Sequence, residues 1–211
     1  MQVISLGGST FVSDFIDVDF LKKFRNLVLS INGKKAIFVG GGKTARKYQE
    51  ALKTVSPETY NLDLIGIKAT ELNAFLVAKF FGLEKVYKNP NVKFKSKVMV
   101  FCGWKPGWST DYDAVIFAKK NRIKRIINVT NVDYVYDKDP KYPDAKKIEK
   151  MSWNDYLKIF GEWKPGMHAP FDPIAARLAQ KNKMKVFIVG KDLKNLKKVL
   201  NNEPFKGTIL F

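Results

Sequence analysis

Short apolar runs alternate with segments of helical period along the chain, and most runs end on glycine or a polar turn. Val3 to Leu6 predicts a strand. Phe20, Leu21, Phe24, Leu27, Val28 and Ile31 then recur at helical spacing, with Asp17 or Asp19 as the cap. Ala36 to Val39 predicts a second strand, Lys43 to about Val55 a helix, and Leu64 to Phe81 one long helix. Val98 to Phe101 reads as a strand, Thr110 to Lys120 as a helix, and Arg125 to Val129 as a strand. Ser152-Trp153-Asn154-Asp155 has the spacing of a capping box. Asp172-Pro173 opens a helix, with Asp as N-cap and Pro in the first turn. Val186 to Val189, Leu193 to Leu200 and Gly207 to Phe211 predict a strand, a helix and a final strand. Such alternation predicts the α/β class: one domain over residues 1–211, a three-layer αβα sandwich about a mostly parallel central sheet. There is no internal repeat or long linker, and Asp137 to Pro143 reads as a surface loop.

Sheets of this kind bind ligands beyond the carboxyl ends of their strands. Four segments lie there. Gly7-Gly8-Ser9 follows the first strand, where bare backbone N–H groups suit a phosphate and the hydroxyl of Ser9 or Thr10 adds a donor. Gly40-Gly41-Gly42 joins the second strand to a helix, so unshielded amides stand at a helix N-terminus with Lys43 and Arg46 adding charge. The spacing matches neither G-x-x-x-x-G-K-[ST] nor G-x-G-x-x-G. Gly103 to Asp111 links a strand to a helix through Lys105, Pro106, Gly107, Trp108, Ser109 and Thr110. Its tryptophans suit either a base or core packing. Thr130 to Pro140 carries Asn131, Tyr134, Tyr136 and several carboxylates, and suits either a nucleoside or an ordinary turn.

Composition narrows the function classes. No apolar run reaches the roughly 18 residues of a membrane span. The first residues lack the basic and long apolar regions of a signal peptide. The single cysteine, Cys102, lies in an apolar run and reads as a small buried hydrophobe; with no second cysteine, a reducing cytoplasm is expected. One Cys and one His, His168, argue against a zinc site. The net charge of +18 favours anionic ligands, but the lysines are spread along the chain, which predicts a solvated basic surface rather than a nucleic-acid footprint.

The four segments, in this order, resemble the amino acid kinase superfamily, and most closely its uridylate kinase branch in the short archaeal form. The resemblance rests on Val39-Gly40-Gly41-Gly42-Lys43-Thr44-Ala45-Arg46-Lys47-Tyr48, on Asp63-Leu64-Ile65-Gly66-Ile67 leading to Thr70 and Asn73-Ala74, and on Pro106 to Asp111. Thr130 to Pro140, Asp172 to Ala179 and Gly207 to Ile209 extend it over essentially the whole chain. It implies an amino acid kinase-like fold and a cytoplasmic nucleoside monophosphate kinase, with transfer of the ATP γ-phosphate to UMP. Magnesium would be held by the ATP phosphates rather than by direct protein ligands. It also implies a homohexamer, with residues 1–120 mainly acceptor site and 121–211 mainly ATP site.

By the same resemblance, Gly7, Gly8, Ser9, Gly42, Arg46, Thr130, Asn131, Tyr136 and Asp139 contact ATP. Gly41, Asp63 and Lys105 to Thr110 contact UMP, and Lys43, Arg46 and Asp172 serve the reaction. Three departures stand out: Ser5 where many superfamily members have lysine, Lys105 and Trp108 in place of histidines, and Tyr134 in place of glycine. Two alternatives remain open at this level: a sister kinase acting on a carboxylate or carbamate, and a catalytically silent nucleotide-binding or nucleic-acid-binding protein.

Overall fold

The computed structural model describes residues 1–138, 141–161 and 169–211; Asp139 and His168 lie outside them. Its strands and helices run in the order β1 (Gln2–Leu6), α1 (Val18–Ser30), β2 (Lys35–Val39), α2 (Gly42–Lys53), α3 (Thr59–Phe80), β3 (Val86–Tyr87), β4 (Val98–Phe101), α4 (Thr110–Lys120), β5 (Arg125–Val129), β6 (Val135–Tyr136), β7 (Lys147–Ile148), β8 (Lys150–Met151), α5 (Trp153–Phe160), α6 (Pro173–Lys181), β9 (Lys185–Val189), α7 (Leu193–Leu200) and β10 (Thr208–Leu210). A single 3₁₀ turn, Gly8–Thr10, follows β1.

Eight strands form the central sheet in the order β3-β4-β2-β1-β5-β9-β10-β8. The pairs among β1, β2, β3, β4, β5 and β9 are parallel, and β10 runs antiparallel to β9. Alternate residues of each strand enter opposite layers. Val3, Ala36, Phe38, Met99 and Phe101 pack beneath α4, α5 and α6 with Val115, Phe117 and Tyr156. Ile4, Leu6, Ile37, Val39 and Val100 pack beneath α1, α3 and α7 with Phe24, Val77 and Leu196. These two cores make the predicted three-layer sandwich, with Phe38 and Phe101 stacked at 4.4 Å between centroids.

Side-chain caps set most of the helix starts. Asp17 accepts from the Phe20 amide, Ser109 from Tyr112, Ser152 from Asp155, Asp172 from Ile174 and Asp192 from Lys194. The end of α1 is closed differently: the buried Lys35 ammonium donates to the carbonyls of Ile31, Asn32 and Gly33 at 2.8, 3.0 and 2.8 Å. These carbonyls belong to the turn that leaves α1, beginning at its C-cap Ile31.

Several expectations shift. α3 begins at Thr59, five residues before Leu64, and α2 stops at Lys53. Val135 and Tyr136, read as part of a loop, form β6 and pair with β7. β3, β7 and β8 are two residues each, too short to show a period in sequence. Phe75 is exposed, whereas Phe80 and Phe81 are partly buried against the α1 side of the core.

The paired ends Leu6–Val39, Leu6–Val129 and Phe38–Phe101 deliver the segments after β1, β2, β4 and β5 to one edge of the sheet. The chain order reverses at β1, which has β2 on one side and β5 on the other. This switch point is where an open α/β sheet leaves a crevice.

Candidate active site

The crevice at β1 and β2 is built from interlocked backbone. A Cβ on Gly8 would sit 2.3 Å from the Gly40 carbonyl oxygen and 2.6 Å from the Gly42 nitrogen. Gly42 is left-handed, with φ of 58°, and a Cβ there would fall 2.5 Å from the Ser9 nitrogen. Only glycine allows this approach. The Gly40 amide donates to the Leu6 carbonyl at 2.9 Å, and the buried Asn73 donates to the carbonyls of Gly40 and Gly41 at 2.9 and 3.0 Å. Arg46, one turn into α2, donates through Nη2 to the Ser9 hydroxyl at 2.8 Å. The Thr10 hydroxyl is spent internally, on the Gly7 carbonyl at 2.6 Å.

A cleft of about 270 Å³ opens beside this backbone, lined by Gly41, Gly42, Ala45, Arg46, Gln49, Asp63, Gly66, Ile67, Thr70, Gly103, Trp108, Ser109 and Thr110. Asp63, Gly66, Thr70 and Asn73 lie on one face of α3 by their spacing of three, four and three. Asp63 Oδ2 accepts from the Gly107 amide at 2.6 Å. Thr70 Oγ1 accepts from the Gly103 amide at 2.8 Å and donates to the Ile67 carbonyl at 2.7 Å. α3 therefore holds both the β2–α2 turn and the β4–α4 turn.

Across the cleft, the Ser109 hydroxyl donates to Asp172 Oδ2 at 2.5 Å. The Asp172 amide donates to Asp111 Oδ2 at 3.1 Å, and the Ser5 hydroxyl donates to Asp111 Oδ1 at 2.6 Å. Burial pushes the Asp111 carboxyl up to about 6, against the two hydrogen bonds that favour its charged form; the neighbouring Asp172 adds to the rise. Asp113 is fully buried: Oδ2 accepts from the Trp104 amide at 3.1 Å, Oδ1 has no partner among the described residues, and burial raises its carboxyl to about 7. Cys102 is buried as expected, its thiol pushed up to about 11 mainly by desolvation.

The expected residues divide into four groups. Gly41, Gly42, Arg46, Asp63, Trp108, Ser109 and Thr110 line the cleft. Gly7, Gly8 and Ser9 adjoin it through the glycine interlock and Arg46, and Asp172 through Ser109. Two cations stand off. Lys43 pairs with Asp14 at 3.7 Å, and Lys105 lies over the Trp104 ring at 4.1 Å. Thr130, Asn131 and Tyr136 follow β5, on the other side of β1; the Thr130 amide donates to the Val189 carbonyl, Asn131 is exposed, and Tyr136 meets the edge of Tyr134 at 6.5 Å.

Gln49, Thr70, Asn73 and Asp113 were not expected as site residues, and Asp111 was expected only as the end of the Gly103 to Asp111 segment. Helical spacing from Asp63 carried a signal for Thr70 and Asn73; no local signal carried the others.

Among the described residues, no helix is long and apolar enough to cross a membrane, and no three His, Cys, Asp or Glu side chains gather as a metal site.

Comparison with known proteins bears on the family and the fold. The model of the amino acid kinase family matches residues 1–190. A uridylate kinase from Thermoplasma volcanium is 34% identical over 212 residues, covering 96% of this chain and 93% of its own. A uridylate kinase from Thermococcus onnurineus is 38% identical over 202 residues, covering 90% and 89%. The crystal structure of uridylate kinase from Archaeoglobus fulgidus superposes with a TM-score of 0.83 at 29% identity and full coverage of both chains. A UMP kinase from Bacillus anthracis, at 20% identity and a TM-score of 0.79 over 99% of this chain and 94% of its own, shares the fold. A family match across most of the chain, similarity at this level and an interlocked pair of glycine turns at the β1 switch point lead to one statement: the chain belongs to the amino acid kinase family.

Proposed function

We propose that the chain is a uridylate kinase, transferring the γ-phosphoryl group of ATP to the phosphate of UMP to give UDP and ADP. The observation that carries this reading is the shared wall of the cleft. Bare backbone at Gly41 and Gly42, interlocked with Gly8 behind it, and Arg46 face one space with Asp63 and with Ser109, whose hydroxyl is held by Asp172. The similarity to archaeal uridylate kinases over most of the chain supports the choice of acceptor.

Phosphoryl transfer asks a protein for in-line positioning and for charge stabilisation on the transferring oxygens. In this reading, Gly7, Gly8, Ser9 and Gly42 present amides to the ATP phosphates at the start of α2, whose dipole favours an anion. Arg46 keeps its fixed charge where the two glycine turns meet. Asp63 accepts the ribose hydroxyls of UMP, while the Lys105–Thr110 turn encloses its phosphate. Thr130, Asn131 and Tyr136 surround the nucleoside of ATP; Asp139 belongs to the same segment.

Magnesium would be carried by the ATP phosphates, and Asp172, which meets the cleft wall through Ser109, is the hard oxygen donor beside that space that would help hold it. When bound, it withdraws charge from the phosphoryl oxygens.

The test is a coupled assay across UMP, CMP, dUMP, glutamate, aspartate and carbamate with ATP and Mg²⁺. Turnover of UMP above the other acceptors is expected. Turnover of a carboxylate or carbamate with none of UMP would replace the acceptor assignment, and ATP binding without turnover of any acceptor would leave a binding protein.

A further inference from the structure

A second and larger cleft, about 540 Å³, lies outside the site just described, between the segment after β3 and the far end of α4. Trp104 and Trp108 form one wall, in edge contact at 5.2 Å between centroids. Lys93, Lys119, Lys120 and Arg122 line the rest with Asn91 and Ile116, and among the described residues no carboxylate does. The Lys93 ammonium is anchored on the Lys120 carbonyl at 2.7 Å. No ion pair engages Lys119, Lys120 or Arg122 among the described residues, whereas Lys43 and Lys47 share Asp14 and Lys68 and Lys88 share Glu71.

Two opposing effects act on an anion here. The carboxyl end of α4 carries about half a negative charge. Lys119 and Lys120 in its last turn bring two full positive charges, and Lys93 and Arg122 two more. The positive side wins. A cleft of this size falls within the range of small-ligand sites, roughly 300–1,000 Å³. Indole rings beside clustered cations match the two halves of a nucleotide, a flat base and a phosphate.

We propose that this cleft is a second site for a phosphate-bearing nucleotide unit, with Trp104 and Trp108 against the base and Lys93, Lys119, Lys120 and Arg122 on the phosphates. It stands apart from the uridylate kinase reading, since none of the four cations lines the cleft at Asp63. Trp108 borders both clefts, so a ligand in the second one changes a wall of the first.

Calorimetric titration of the full chain decides this. The ligands are the four ribonucleoside monophosphates and, separately, a uridine decanucleotide, added to the wild type and to Lys119→Glu/Arg122→Glu. The wild type is expected to show a site that the double variant lacks or binds at least tenfold more weakly. The variant should melt at the wild-type temperature. If the charge-reversed chain fails to fold, Lys119→Gln/Arg122→Gln replaces it. A lost site for mononucleotides identifies a free nucleotide as the ligand; a lost site for the decanucleotide alone identifies a single strand. Equal stoichiometry and affinity in both proteins for every ligand overturns the proposal. UDP formation in the wild type, assayed in parallel, tests the kinase reading independently, because its success or failure leaves the comparison of the two titrations unchanged.

Discussion

Arg46 reaches from one turn into α2 to the Ser9 hydroxyl, 2.8 Å away, and so spans the two glycine turns that follow β1 and β2. This places a fixed positive charge where the backbone is barest. Arg46→Ala is expected to lower kcat for UDP formation by about 10²–10³, the loss typical of one donor to a developing negative charge. Steady-state kinetics at saturating ATP and UMP measure it; wild-type kcat would remove Arg46 from the reaction.

Asp63 accepts the Gly107 amide at 2.6 Å and thereby ties α3 to the β4–α4 turn. Asp63→Ala removes that tie along with the carboxylate facing the cleft. The KM for UMP should rise by roughly tenfold or more, with a smaller fall in kcat, because the lost contact serves ground and transition states alike. An unchanged KM for UMP would move the acceptor elsewhere.

Gly8 leaves no room for a side chain, since a Cβ would overlap the Gly40 carbonyl oxygen at 2.3 Å. The obstacle is backbone on both sides, so it cannot rotate away. Gly8→Ala should destabilise the fold by about 1–3 kcal/mol, the usual cost of overpacking, and should abolish ATP binding. Urea unfolding and calorimetry read the two effects separately.

Asp113 makes stability depend on pH. Its folded carboxyl titrates at about 7, well above the ordinary aspartate value of 3.8. Between these values the folded chain holds a proton that the unfolded chain has released. The contribution of Asp113 is therefore most favourable below about pH 4, is lost progressively as pH rises, and is gone above about pH 7. Asp113→Asn is neutral at every pH and should flatten this slope, gaining most over the wild type at pH 8. Melting temperatures of both proteins from pH 5 to 8 test it; parallel curves would mean the unpartnered oxygen is solvated.

Lys35 is buried, with its ammonium on three carbonyls at the end of α1. Lys35→Met keeps the aliphatic length and strands those acceptors. Each buried unsatisfied group costs about 1–3 kcal/mol, and water reaching the chain end recovers part of it, so a net loss of about 2–4 kcal/mol is expected. Chemical denaturation with an unchanged m-value would measure it.

Local pattern revealed much of the architecture. β2, β4, β5 and β9 are apolar runs, buried along most of their length, so each appears in sequence as a continuous block. α4 and α7 match their expected bounds because their caps and their apolar period agree. β3, β6, β7 and β8 were invisible, since two-residue strands exist only through their partners. The antiparallel direction of β10 likewise depends on where its last turn leaves it against β9.

The glycine turns follow the same division. Their spacing after β1 and β2 already marked an anion site, and the order of motifs pointed to the amino acid kinases. Only the packed molecule separated Arg46, which lines the cleft, from Lys43, three residues earlier, which faces Asp14. Only packing brought Ser5 to Asp111, 106 residues away, and left one oxygen of Asp113 without a partner among the described residues. Helical period and turn chemistry act over a few residues, and sequence shows them directly. Partners, desolvation and the protonation they impose arise between segments that meet only when the layers close.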